Sequence, residues 1–123
     1  MHQTELTLKG YFVEYKEEWK RLTIKILDDE LEPFTHNYLK NKAEIAAARE
    51  ETCPVDLARG VYYVKVKDTS QIKAYTKASR QFRVPLQDLI GETVQLEVTL
   101  KHYAWKEKYG WNLTLHEIFA CTL

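Results

Sequence analysis

Apolar and polar residues alternate along much of the chain with a period of two, the spacing of a strand that buries one face. Leu6, Leu8 and Phe12 alternate with Thr7 and Lys9. Gly10 falls inside this run, where a glycine marks a bulge or a sharp bend. WKRLTIKIL (19–27) sets Leu22, Ile24 and Ile26 on one face and Arg21, Thr23 and Lys25 on the other. EYKEEWK (14–20) joins the two runs and is short enough for a hairpin. VYYVKVK (61–67) is a third strand, with Tyr62, Val64 and Val66 on one face and Tyr63, Lys65 and Lys67 on the other. TVQLEVTLKHY (93–103) turns Val94, Leu96, Val98 and Leu100 inward, and WNLTLHEI (111–118) does the same with Trp111, Leu113 and Leu115.

The period changes in two places. Residues 37–51 are alanine-rich and helical in propensity, and Asn41 with Glu44 resembles a capping box, although a start near Asn37 is open. Pro54 ends this helix. Its stripe of Leu39, Ala43, Ala46 and Ala47 is thin, which places it on the surface of the domain. PLQDLIG (85–91) reads as one short helix bracketed by its proline and glycine. Residues 68–79 read as a polar loop, and QFRV (81–84) as a short strand or a strand continuation.

The order β–β–helix–β–short helix–β–β contains no βαβ repeat, which argues against a doubly wound parallel sheet. Gly10 in the first strand, VPLQDLIGETVQLEVTL as helix then fourth strand, and YGWNLTLHEI as the fifth form a pattern over most of the chain. That pattern resembles the OB-fold nucleic-acid-binding superfamily, single-stranded DNA-binding proteins among them. The resemblance implies a mostly β fold: a five-stranded Greek-key barrel with a short helix before strand four. Residues 1–123 would form one such domain, with 28–58 as a helical insertion between strands two and three where the family has a short link.

Composition fits one globular domain: 123 residues, 45% hydrophobic, with few Gly and Pro. Eighteen Lys/Arg balance eighteen Asp/Glu, but unevenly. Residues 1–58 hold 8 basic and 12 acidic side chains (net −4), and residues 59–123 hold 10 and 6 (net +4). Within 59–83, seven basic residues face one acid, Asp68, for a net of +6. A basic stretch is ordinarily a solvated face. This one is interleaved with Tyr62, Tyr63, Tyr75 and Phe82. No apolar run is long enough to span a bilayer, and the first residues do not resemble a secretory signal. The expectation is an intracellular protein of the cytoplasm, the nucleus or a viral replication site. Cys53 and Cys121 form no motif and are expected to be ordinary thiols of a reducing compartment.

No metal-ligand spacing links His2, His36, His102, His116 or the cysteines, and His116 falls on the outward phase of the last strand. No nucleophile elbow or glycine-rich phosphate loop is present. Neither a catalytic residue, a metal nor a cofactor is expected.

Binding is the better-supported class. In an OB barrel, ligands cross strands two and three and the loops joining strands one–two and four–five. Here those places carry Tyr15, Trp19 and Lys20; Arg21 and Lys25; Tyr63, Lys65 and Lys67; and Tyr103, Trp105, Lys106, Lys108 and Tyr109. Tyr75, Arg80 and Arg83 of the basic stretch join the candidates. Rings that stack on bases beside cations that meet phosphates suit single-stranded DNA, or RNA, read with little sequence preference. Tyr62 and Trp111 share phase with the core, Trp19 could instead pack its hairpin, and Glu17, Glu18 and Glu107 fit a nucleic-acid surface poorly. The alternative is an OB module for protein–protein contact, a subunit of a replication, repair or transcription complex. A small nuclease is a further alternative. A homodimer through the 37–51 helix or an outer strand is compatible with either binding role.

Overall fold

The structure is a computed structural model that describes residues 3–27, 33–67, 72–76 and 83–121. It is mostly β, with seven strands in one sheet and one α-helix among the described residues. The strands are β1 (Gln3–Lys16), β2 (Arg21–Ile26), β3 (Val55–Asp56), β4 (Val61–Lys65), β5 (Lys73–Tyr75), β6 (Thr93–Trp105) and β7 (Lys108–Ala120). The helix α1 (Pro33–Ala48) lies between β2 and β3.

The alternating runs become strands in the expected phase. Leu22, Ile24, Val64, Val94, Leu96, Val98, Leu100 and Leu113 are all buried in one cluster, together with Tyr62 and Trp111. β1 changes partner along its length: Gln3–Tyr11 pairs with β6, and Gly10–Lys16 pairs with β2. Gly10 therefore sits where the strand leaves one neighbour for the other. A Cβ built there would lie 2.3 Å from Ile24 Cγ2 and 2.7 Å from the Lys25 carbonyl oxygen, so the close approach of β2 requires glycine. The register shift itself falls later, between Phe12 and Glu14. Phe12 also donates to the Glu92 carbonyl and accepts from Gly91, which pins the 3-10 turn Leu86–Leu89 beneath β1.

Along the sheet the neighbours run β4–β2–β1–β6–β7, and Lys65 of β4 pairs in parallel with Thr114 of β7. The outer strands of that series thus meet. Two short strands extend the expected five. β3 pairs with β4, and β5 lies parallel to β7, within a segment whose polar sequence reads as loop.

Helix α1 begins at Pro33, a favoured first position, and not at Asn41, which is an exposed residue inside it. It ends before Pro54 does any work. Glu50 takes a left-handed φ of 57°, Glu51 N–H donates to the Ala46 carbonyl and Glu50 N–H to Ala47, which is a Schellman closure. Leu39, Ala43 and Ala46 are buried, whereas Ala47 is exposed. Small side chains on that face let the helix approach β1 and β3 closely. His36 Nδ1 is within 3.0 Å of the Tyr62 hydroxyl, and burial pushes the Tyr62 phenol far above its ordinary pKa. No helix among the described residues is long and apolar enough to cross a membrane. Cys53 and Cys121 are free thiols.

Candidate nucleic-acid interface

The pairing register places four outward side chains in one row across four strands. Arg21 pairs with Lys65, Lys65 with Thr114, and Thr114 with Thr99. The next pair toward the β6–β7 tip is Lys101 with Asn112, followed by Tyr103 with Gly110 and Trp105 with Lys108. Side chains two residues apart share a face, so Lys101, Tyr103 and Trp105 project on the same side. A groove of about 510 Å³ runs along this row. Among the described residues its cations are Lys20, Lys65, Lys67 and Lys101, its rings are Trp19 and Tyr103, and no carboxylate lines it. A neighbouring groove shares Val66, Lys67, Lys101 and Thr114 and continues past Lys73 to His116 and Glu117.

The β1–β2 tip supplies the first ring. Glu17–Trp19 forms a 3-10 turn closed by Lys20 in the left-handed region, φ 47°, and Lys16 pairs with Arg21 across its base. This turn leaves Trp19 59% exposed. The Arg21 guanidinium sits between two rings, 4.7 Å from the Trp19 centroid and 4.2 Å from that of Tyr63, and Lys16 Nζ lies 5.7 Å from Trp19. The indole is thus steadied by cations without being buried. A shallower depression beyond Arg21 is lined by Lys25, Arg59, Tyr63 and Glu14, and Arg59 is hydrogen-bonded to the Tyr63 hydroxyl.

The β6–β7 tip supplies the second ring. Trp105 is 64% exposed, with Lys106 Nζ 4.5 Å from its centroid. Lys106 and Glu107 have φ of 48° and 63°, so the hairpin turns in two residues in the manner of a type I′ turn. Neither residue is the asparagine or glycine this turn favours, and left-handed backbone costs ordinary residues ~1 kcal/mol each. Replacing the pair as Lys106→Asn/Glu107→Gly raises unfolding free energy by about 1 kcal/mol in a urea titration. An unchanged or lower value would show that the two-residue turn is wrong.

The structure brings some of the expected residues together and separates others. Trp19, Lys20, Lys65, Lys67 and Tyr103 share the groove, and Arg21, Lys25, Tyr63, Trp105, Lys106 and Lys108 flank it or lie on strand faces that lead into it. Tyr103 is half-buried because its ring covers Gly110: a Cβ there would come within 2.7 Å of its hydroxyl. Tyr109 is 59% exposed, but its pairing with Ala104 puts it on the opposite face of the hairpin. Tyr15 turns inward against the core. Its hydroxyl is buried without a partner among the described residues, and burial, then Glu17, raises its pKa.

Tyr75 does not reach the surface. It is 4% exposed and stacks on Phe119 at 5.3 Å, because β5 lies against β7 there; its expected ligand contact is corrected to a packing role. Arg83 is exposed beside β5 and lines neither groove, and Arg80 lies outside the described residues. Lys101, Asn112, Lys73 and Arg59 are groove residues that the reading of strands two and three misses. Among the described residues no three His, Cys, Asp or Glu gather to hold a metal ion.

No family model matches the chain, and no curated protein matches it in sequence. Among solved structures, one comparison is informative. The fold is similar to that of gp2.5. That protein is described as a single-stranded DNA binding protein encoded by bacteriophage T7. The TM-score is 0.52 at 15% identity, with 99% of this chain and 88% of gp2.5 covered. At the level of the backbone this chain and gp2.5 therefore share a fold.

Proposed function

We propose that the chain binds single-stranded nucleic acid, DNA in preference to RNA, with little sequence preference. The observation that carries this is the groove whose described lining sets Lys20, Lys65, Lys67 and Lys101 with Trp19 and Tyr103, without a carboxylate among the described residues, and leads to Trp105. Lysines on a strand row meet successive phosphates and release counterions. Exposed rings at the two hairpin tips offer faces to unpaired bases, which all have a π-face, so stacking is tolerant of sequence. Arg21, Lys25, Tyr63, Lys106 and Lys108 extend the surface on either side. The return of β4 onto β7 supports a Greek-key barrel as the scaffold, one domain with α1 as an insertion. Likeness in fold to gp2.5 supports the same reading. The role is binding without turnover, needing no cofactor, inside the cell.

Titration of labelled oligo-dT at a series of salt concentrations tests it. Four lysines each neutralising one phosphate give a slope of log K against log[salt] of about −3. Oligo-dT binds more tightly than oligo-U, and duplex DNA binds least. No binding of oligo-dT at low salt would remove this reading in favour of a protein-contact module. The carboxylates of Glu14, Glu17, Glu18 and Glu107 around the tips are the observation that favours that second reading.

A further inference from the structure

The β6–β7 hairpin has two faces, and the lysine row uses one. His102, Ala104, Tyr109 and Trp111 occupy the other, where α1 approaches. A second cleft of about 380 Å³ opens between helix and hairpin, a volume suited to a small molecule. It is lined on the helix side by Lys42, Ile45 and Arg49, and on the hairpin side by His102, Tyr109 and Trp111.

Among the described residues, the lining of this cleft carries two cationic side chains and two ring N–H groups against one carboxylate. Lys42 Nζ donates to His102 Nε2 at 2.5 Å, which assigns the imidazole proton to Nδ1. That Nδ1 is buried with no partner among the described residues. Trp111, directly paired with His102, is 2% exposed, and its Nε1–H is likewise buried and unpartnered. Native proteins rarely leave such groups unmet. Lys42 Nζ also lies 5.4 Å from the Trp111 centroid, and burial lowers its pKa while Glu51, the one carboxylate of the lining among the described residues, opposes that. Arg49 adds a second cation. Two exposed side chains of the lining, Tyr109 and Ile45, add an aromatic face and an apolar one.

We propose that this cleft is a nucleotide subsite, in which a phosphate is held by Lys42, Arg49 and the two unmet N–H groups while the base lies against Tyr109 and Ile45. A carboxylate or inorganic phosphate would meet the donors and leave the apolar rim unused; a nucleotide uses both. Lys42 touches both rings, so it is the side chain that moves when the ligand enters. The ligand is either a free mononucleotide or the 5′-phosphorylated end of a strand passing over the hairpin tip. Only the strand-end form rests on the function proposed above.

Titration of the full chain followed by the ¹H–¹⁵N signal of the Trp111 indole tests the proposal, with the three indole signals assigned from Trp→Phe variants. Deoxyadenosine monophosphate is expected to shift the Trp111 signal at concentrations at least tenfold below those needed by inorganic phosphate or by deoxyadenosine. Lys42→Gln weakens the monophosphate at least tenfold. Tyr109→Ala, a surface change that leaves the fold alone, weakens it about fivefold and leaves inorganic phosphate binding unchanged. A 5′-phosphorylated oligo-dT that moves this signal where its 5′-hydroxyl counterpart does not assigns the ligand to a strand end. A Trp111 indole unmoved by millimolar monophosphate, phosphate and both oligonucleotides overturns the site. Monophosphate binding no tighter than inorganic phosphate overturns the base contact. Because the mononucleotide arm needs no strand, failure of oligo-dT to bind at all leaves that arm standing.

Discussion

Replacing Trp19 and Trp105 together by alanine lowers affinity for oligo-dT by about a hundredfold or more. The estimate follows from stacking, which contributes ~1–3 kcal/mol per base, and from the tenfold change in binding that ~1.4 kcal/mol represents. Both indoles are more than half exposed, so their removal opens no cavity in the core. Trp105 loses the Lys106 contact, and Trp19 loses its contacts with Arg21 and Lys16, each ~0.5–1 kcal/mol at an exposed site. The unfolding free energy should therefore fall by no more than about 3 kcal/mol. The salt slope should stay near its wild-type value, because Lys20, Lys65, Lys67 and Lys101 are untouched. Anisotropy of labelled oligo-dT, repeated at two salt concentrations, reads both quantities. Binding within threefold of wild type would show that the rings do not stack on bases. A loss of slope along with affinity would show that they act by placing the lysines. Tyr75→Ala provides a contrast, since its loss of packing on Phe119 appears as stability and leaves affinity unchanged in the folded fraction.

Strand positions were legible wherever a period of two ran for six residues or more, as in β2, β6 and the first part of β7. That period is dictated by one buried face and needs no knowledge of the partner. What depends on the partner was not legible. β5 is three residues long, and Tyr75 is buried because Phe119, far along the chain, lies beside it. The start of α1 was obscured by a local rival: Asn41 with Glu44 has the spacing of a cap, while Pro33 provides the actual entry. At the candidate site, strand faces follow from alternation, and Arg21, Lys65 and Lys67 were read outward on that basis. Closure of β4 onto β7 was needed to set Lys65 beside Thr114 and so bring Lys101 and Asn112 into the same groove. The faces of the last hairpin depended on turn length. Without an Asn-Gly pair at 106–107, nothing local announced a two-residue turn. Tyr109 could therefore not be separated from Trp105, although the register places them on opposite sides.

Gly10→Ala should destabilise the protein by about 2–3 kcal/mol, a large effect for one methyl group, and one that falls on stability rather than on the groove chemistry. The added Cβ would sit 2.3 Å from Ile24 Cγ2 and 2.7 Å from the Lys25 carbonyl oxygen. Neither neighbour can yield easily. Ile24 is fully buried and β-branched, so its Cγ2 is held close to the backbone by a stiff χ1, and the second contact is backbone itself. Relief requires moving β1 away from β2 at the one region where β1 is paired on both sides, Gly10 facing Ile26 in β2 and Val94 in β6. Overpacking of this kind costs typically ~1–3 kcal/mol. A double-mutant cycle with Ile24→Ala separates the two contacts. Ile24→Ala alone leaves a cavity and costs ~2–5 kcal/mol, but it also removes the Cγ2 clash, so the double variant should be more stable than the sum of the single effects by more than ~0.5 kcal/mol. The part of the penalty that survives in the cycle measures the Lys25 carbonyl contact. Urea unfolding of the four proteins gives each value. A Gly10→Ala protein within about 0.5 kcal/mol of wild type would mean that β1 and β2 do not approach so closely at this bend.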